Sequence, residues 1–198
     1  SAVETKNCWT MAELAGHSTP DRLQHLLSRA KWDAEEVRED LQHLVLDGLG
    51  TDQAVLVIDE TGDLKKGTHT VGVQRQYTGT AGRIENCQVA VYLTYATRIG
   101  HALIDLSLYL PRSWTDDPAR CAAAGVPDDI EFATKPRLAA DLITRARAAG
   151  VCADWVAGDE VYGDNPYLRN MLVDNKIGYV LTVGCHREVI VGDYYERA

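Results

Sequence analysis

The sequence predicts an α/β fold in which helices flank a mixed sheet, with a small helical segment at the N-terminus. Three observations predict it. Apolar residues recur at helical spacing in the first fifty residues, short Val- and Ile-rich runs begin after Gly50, and strands then alternate with helices. The 198 residues, 45% of them hydrophobic, suffice for a substantial core. We therefore expect a helical segment over residues 1–50 and one α/β domain over residues 51–198.

The N-terminal helices are predicted from their starts and stops. Pro20 suits the first turn of a helix that continues through leucines at helical spacing. Asp33 precedes Glu36 by three positions, which is the spacing of a capping box. The helix that follows ends at Gly48 and Gly50. This segment is expected to form a helical hairpin.

Strands and further helices are predicted over the rest of the chain. Apolar runs predict strands at Ala54–Ile58, Gln88–Thr97, His101–Leu110, Ala153–Ala157 and Tyr179–Val183. Apolar residues recur every four positions from Pro136 to Ala149, which predicts a helix, and another helix begins at Pro166. The polar, Gly-containing residues 62–86 have little periodicity and predict a loop, whose centre at Val71–Tyr77 is either a short strand or an ordered loop.

Composition narrows the class of protein. No apolar run approaches the roughly 18 residues of a membrane span, and no secretory signal pattern opens the chain. The five widely spaced cysteines predict reduced, mostly buried thiols in a cytoplasmic protein, without a zinc site. The net charge of -9 argues against a free-standing nucleic-acid-binding module, because phosphate contacts need basic side chains. A carboxylate-rich metal site is compatible with it.

Two predicted strands end in the same pair of acids, Asp59-Glu60 and Asp159-Glu160. Ligands of α/β sheets bind beyond the carboxyl ends of strands, and side chains alternate across a strand, so each pair offers one member to a shared site. If the strands are neighbours, Asp59 and Asp159 converge. Such carboxylates suit Mg²⁺ or Mn²⁺, and two ions about 3.5–4 Å apart can act on a phosphodiester. The alternative is that both pairs are surface turns.

Several segments resemble DDE-type bacterial insertion-sequence transposases. The longer ones are VLVIDETG at Val55–Gly62, Gly72–Gln88 and VAGDEVYG at Val156–Gly163, with shorter ones at Leu108–Trp114 and Phe132–Pro136. The similarity extends from about residue 9 to about residue 183. It implies an RNase H-like fold and DNA cleavage and strand transfer that depend on Mg²⁺ or Mn²⁺. It also implies that Asp59 and Asp159 are catalytic metal ligands.

The resemblance further implies a third acid, a Glu on a late helix, which this sequence does not show. Glu196 is a weak candidate, because its surroundings do not match the corresponding segment of the family. The catalytic domain is therefore expected to be incomplete at its C-terminus. A catalytically inactive or domesticated derivative, which binds DNA or a partner or acts on a substrate other than DNA, is the alternative.

DNA is the partner that the resemblance implies, and self-association is expected because transposition usually needs an assembly. The candidates for phosphate contacts are the basic residues of the predicted loop, Lys65, Lys66, Arg75 and Arg83. The alternative for this loop is a solvated connection. Tyr162 is expected to be a packed aromatic residue, and the tryptophans Trp9, Trp32, Trp114 and Trp155 are expected in the core or between domains.

Overall fold

The computed structural model describes residues 3–191 and 194–197, with side-chain environments through residue 188. The helices are α1 (Cys8–Leu14), α2 (Asp21–Ser28), α3 (Ala34–Leu49), α4 (Arg112–Thr115), α5 (Pro118–Ala123), α6 (Lys135–Ala148), α7 (Glu160–Gly163) and α8 (Pro166–Asp174). The strands are β1 (Val55–Leu64), β2 (Gln74–Thr78), β3 (Arg83–Thr97), β4 (Gly100–Leu108), β5 (Trp155–Gly158), β6 (Gly178–Leu181), β7 (Glu188–Val191) and β8 (Tyr194–Arg197). Contacts divide the chain into two compact units, Ser1–Arg38 and Glu39–Ala198.

The first unit contains α1, α2 and the start of α3, and its helix starts follow local capping chemistry. Asn7 caps α1 by accepting hydrogen bonds from the backbone N–H groups of Trp9 and Thr10. Helix α2 begins directly after Pro20, as predicted. The Asp33 carboxylate accepts a hydrogen bond at 2.8 Å from the backbone N–H of Glu35, so Asp33 caps α3 as expected.

The second unit is built on a six-stranded mixed sheet, which confirms the predicted fold class. The main order is β2-β3-β1-β5-β6, and β4 also pairs with β3. Strand β1 is antiparallel to β3 and parallel to β5, and β5 is parallel to β6. The chain reverses from β3 to β4 at residues 98–99, between the strands predicted at Gln88–Thr97 and His101–Leu110. Strands β7 and β8 form a separate antiparallel pair.

One face of the sheet carries the main core. Alternate residues of β1, Leu56 and Ile58, are buried together with the apolar stripe of α6, which includes Leu142 and Ile143. Helix α8 adds Leu168 and Leu172 to the same cluster. Arg145 of α6 binds the carboxylate of Asp105 on β4 through two hydrogen bonds of 2.9 Å, and the Asp105 side chain is only 2% exposed.

The opposite face is largely uncovered. Leu103, Leu106, Trp155 and Val180 belong to sheet strands and are each more than half exposed. The pairing register aligns Leu103 with Thr94 and Leu106 with Tyr92, and these two β3 residues are themselves the partners of Val57 and Asp59 on β1. Apolar side chains therefore surround the row that contains Asp59.

Two expectations about side-chain burial were wrong. Trp114 is fully buried and donates its indole N–H to the carbonyl of Val73, but Trp9, Trp32 and Trp155 are each more than half exposed. For Trp155 the reason is its position on the uncovered face of the sheet. All five cysteines are free, as predicted, but only Cys87 is buried, because Cys152 and Cys185 lie in exposed connections.

About half of residues 62–86 belong to strands, and β2 lies on the segment for which a short strand was one of two alternatives. Strand β1 continues past Asp59 to Leu64, because its pairing with β3 extends unbroken to Cys87. Strand β2 then pairs with the first half of β3. Gly62 permits this packing, since a Cβ atom there would lie 2.4 Å from the Thr78 hydroxyl oxygen. Within residues 3–191 and 194–197, no helix is long and apolar enough to cross a membrane.

Candidate metal centre

The register between β1 and β5 brings two aspartates side by side. Val55 lies opposite Trp155 and Val57 lies opposite Ala157, and the strands are parallel. Continuing this register by two positions places Asp59 of β1 beside Asp159, the residue that directly follows β5, and the Asp59 charge contributes to the raised pKa of Asp159. Neighbouring strands are about 4.8 Å apart and equivalent positions share a face, so the two carboxylates are neighbours.

Asp159 is held by the turn that follows it. It is the N-cap of α7, and its Oδ1 accepts a hydrogen bond at 3.0 Å from the backbone N–H of Val161. Partial burial raises the pKa of Asp159 above its usual value, and the nearby carboxylates of Glu60, Glu160 and Asp59 raise it further. The site is therefore short of positive charge.

Asp59 is the more exposed member of the pair. Its Oδ1 accepts a hydrogen bond at 2.7 Å from the backbone N–H of Glu60. Among the described residues, no hydrogen bond reaches Oδ2 of Asp59 or of Asp159, so each carboxylate keeps one oxygen for a ligand. Oxygen donors and an uncompensated negative charge are the properties that a divalent cation requires, so the donor set fits Mg²⁺ or Mn²⁺.

A third ligand is not assembled within the described residues. No group of three His, Cys, Asp or Glu side chains in that part of the chain has the geometry to hold a metal ion. The side chain of Glu196, on β8, lies outside the described residues. Asp59 within β1 and Asp159 directly after β5 are thus the two candidate ligands among the described residues.

Glu60 is the residue that the sequence analysis missed. Its Oε1 accepts a hydrogen bond at 2.7 Å from the Lys135 ammonium group, and its Oε2 accepts one at 2.7 Å from the Tyr162 hydroxyl. Both carboxylate oxygens are therefore engaged on the helix-covered side of the sheet. The alternation of β1 indicated that Glu60 faces away from Asp59, but nothing local indicated partners 75 and 102 positions away. Tyr162 is buried, as predicted.

Asp59 opens into a shallow groove on the uncovered face. The groove encloses about 560 Å³ between β1 and the β3–β4 turn, and its polar lining includes Thr94, Arg98 and His101. Arg98 donates a hydrogen bond at 2.7 Å to the side chain of Gln53.

The four basic candidates are not gathered into one patch. Arg75 pairs in register with Asn86, and alternation along β3 places both on the sheet face that carries Asp59. Arg83 pairs with Thr78 and lies on the other face, where it forms a 2.8 Å ion pair with Glu85.

The two lysines lie just beyond the end of β1. Lys65 has its ammonium group 3.8 Å from the carboxylate of Asp63, and Lys66 is exposed. Of the four candidates, Arg75 and Lys66 are exposed and have no carboxylate partner among the described ion pairs.

A mixed sheet of this order, flanked by helices, with one aspartate within β1 and another directly after β5, is consistent with a class of proteins, the RNase H-like fold. Comparison with known families agrees: residues 1–193 match the model of the DDE superfamily endonucleases. The chain belongs to that family. It is 32% identical over 185 residues to a probable transposase for insertion sequence element IS701 from Microchaete diplosiphon. That match covers 92% of this chain and 46% of the relative, so the chain spans about half of the relative's length.

Proposed function

We propose that this chain is the part of an insertion-sequence transposase that binds divalent metal and cleaves and joins DNA phosphodiesters. The observation that carries the proposal is the parallel pairing of β1 with β5, whose register, continued by two positions, brings Asp59 beside Asp159. Family membership supports it, because the IS701 relative is described as a probable transposase. Self-association on DNA is part of the proposal.

Asp59 and Asp159 would hold Mg²⁺ or Mn²⁺ through their oxygen atoms. A divalent ion bound there supplies Lewis-acid stabilisation of the charge that develops at the phosphate. The chain's own contribution is orientation: the hydrogen bond from Val161 fixes the carboxylate of Asp159, and that from Glu60 fixes Asp59. Glu196 stays a weak candidate for the third ligand.

A Mn²⁺ titration followed by calorimetry tests the metal site. We expect binding by the wild-type chain that both Asp59→Asn and Asp159→Asn abolish, because each removes a charged ligand from one shared centre. Asp63→Asn is the matched control: Asp63 lies on the same face of β1, four residues further along, and is largely exposed. Loss of binding in Asp63→Asn to the same extent, or binding indifferent to Asp59 and Asp159, contradicts the assignment.

The DNA-binding proposal rests on Arg75, which shares the face of Asp59 and extends from the edge hairpin. We expect Arg75→Ala to weaken binding to duplex DNA and to lower the slope of log K against log salt by about 1. Arg83→Ala is the control on the same hairpin, because Arg83 faces the other way and is paired with Glu85. Fluorescence anisotropy across a salt series measures both. An equal loss in the two variants would show that the face of the hairpin is irrelevant to binding.

A further inference from the structure

Behind the aspartate pair, on the helix-covered side of the sheet, three polar side chains meet. Glu60 of β1 lies between Lys135, the first residue of α6, and Tyr162 of α7, with both contacts at 2.7 Å. The side chains of Glu60 and Lys135 are 19% and 23% exposed, and Tyr162 is fully buried. We propose that these three residues form a clamp that sets the spacing of Asp59 and Asp159, and that they are positioning residues.

The clamp connects the two segments that carry the aspartates. Glu60 directly follows Asp59, and Tyr162 follows Asp159 by three residues. The backbone carbonyl of Asp159 accepts hydrogen bonds from the N–H groups of Tyr162 at 3.2 Å and Gly163 at 2.9 Å. The Asp159 side chain also accepts a hydrogen bond from the N–H of Val161, so this turn is held by both the backbone and the side chain of Asp159. A displacement of the Tyr162 ring therefore moves Asp159 with it. The hydroxyl bond to Glu60 therefore couples Asp159 to β1.

The protonation of the clamp is fixed by its surroundings. Burial raises the pKa of Tyr162 strongly, and the hydrogen bond to Glu60 raises it further, so the phenol stays protonated and donates. A buried hydroxyl without an acceptor is costly, and Glu60 is its acceptor. The three groups together form one charge-assisted network.

The position of Lys135 supports the same conclusion. A cation in the first turn of a helix is opposed by the partial positive charge of the helix N-terminus. Lys135 nevertheless occupies the first position of α6, with its ammonium group directed to Glu60. Its contribution is to hold the Glu60 carboxylate on the helix-covered side of the sheet.

The test compares two buried tyrosines. Tyr162→Phe removes the clamp hydroxyl and keeps the ring. Tyr95→Phe is the matched control, because Tyr95 is also fully buried and its hydroxyl donates to the carbonyl of Gly50 at 2.9 Å. We would measure backbone amide exchange at residues 160–163 in metal-free protein, and Mn²⁺ affinity by calorimetry. We expect Tyr162→Phe to accelerate exchange and to weaken Mn²⁺ binding, each by about tenfold, and Tyr95→Phe to change neither.

Equal effects of the two substitutions on both measurements, or no effect of Tyr162→Phe, would overturn the clamp. The Mn²⁺ affinity measurement rests on the proposed function, whereas the amide-exchange measurement on metal-free protein does not. If the wild-type chain binds no Mn²⁺, the metal assignment fails while the exchange comparison still decides the clamp. Should Tyr162→Phe fail to fold, Lys135→Gln is compared in the same way with Arg137→Gln, an exposed position two residues along the same helix.

Discussion

Replacing Gly163 by alanine tests how tightly the turn after Asp159 is packed. A Cβ atom at Gly163 would lie 1.8 Å from the carbonyl oxygen and 2.9 Å from the carbonyl carbon of Thr182, and 3.1 Å from the Cβ of Leu181. Carbon and oxygen approach to about 3.3 Å in ordinary C–H···O contacts, so the shortfall is about 1.5 Å. Backbone must move to relieve it, since no flexible side chain is involved.

Overpacking of a filled site costs about 1–3 kcal/mol, and the collision with backbone places Gly163→Ala near 3 kcal/mol. Helix propensity has the opposite sign, because alanine is favoured over glycine in a helix by about 1 kcal/mol. Denaturation in urea, with extrapolation to zero denaturant, gives the difference in the free energy of unfolding.

Gly48→Ala in α3 is the control, because nothing lies within 4 Å of the added Cβ atom there. We expect that variant to be more stable than the wild type by up to about 1 kcal/mol. A Gly163→Ala protein within about 0.5 kcal/mol of the wild type would refute the steric reasoning, whatever Gly48→Ala does.

Two further substitutions test charged groups of the second unit. Arg145→Met leaves the buried Asp105 without its bidentate partner and should cost about 2–4 kcal/mol, whereas Arg137→Met on the same helix, half exposed, should change the free energy of unfolding by less than about 0.5 kcal/mol. Equal losses in the free energy of unfolding of the two variants would contradict this reasoning. Asp159→Asn in metal-free protein should be more stable than the wild type at pH 7, by up to about 1 kcal/mol. The raised native pKa of Asp159 makes wild-type stability fall as pH rises from the usual Asp range through that pKa. The advantage should vanish near pH 3, and a pH series of urea melts checks this.

The strands that matter most for the site were predictable because their signal is local. Val55–Ile58 is a run of β-branched and aliphatic residues, Trp155–Gly158 is a short and mostly apolar segment, and each is followed directly by an aspartate. Neither segment, taken alone, indicates that the two strands are neighbours in the sheet. It follows only from the parallel pairing of β1 with β5. Parallel strands need a crossover connection, and helix α6, which lies between the two strands in sequence, packs in the same hydrophobic core as both.

The misjudged segments are those whose structure depends on distant partners. Residues 62–64 are a glycine, an aspartate and a leucine, which together do not indicate a strand, yet they pair with residues 87–89 of β3. The burial of a tryptophan is likewise set by what covers it: Trp114 packs beneath Arg120, and Trp155 lies on an uncovered face. The clamp around Glu60 could not be predicted, because it depends both on which strands pair and on which helices cover the sheet.

The parallel pairing of β1 with β5 has a consequence for synthesis on the ribosome. Asp59 and Asp159 are separated by 100 positions, so at about 5–20 residues per second the second aspartate emerges roughly 5–20 s after the first. During that interval β1 can pair with β3 on one side while its other edge has no partner yet. An unpaired strand edge invites association with other chains. The centre of this sheet is therefore the part of the nascent chain that most needs protection until β5 has left the exit tunnel.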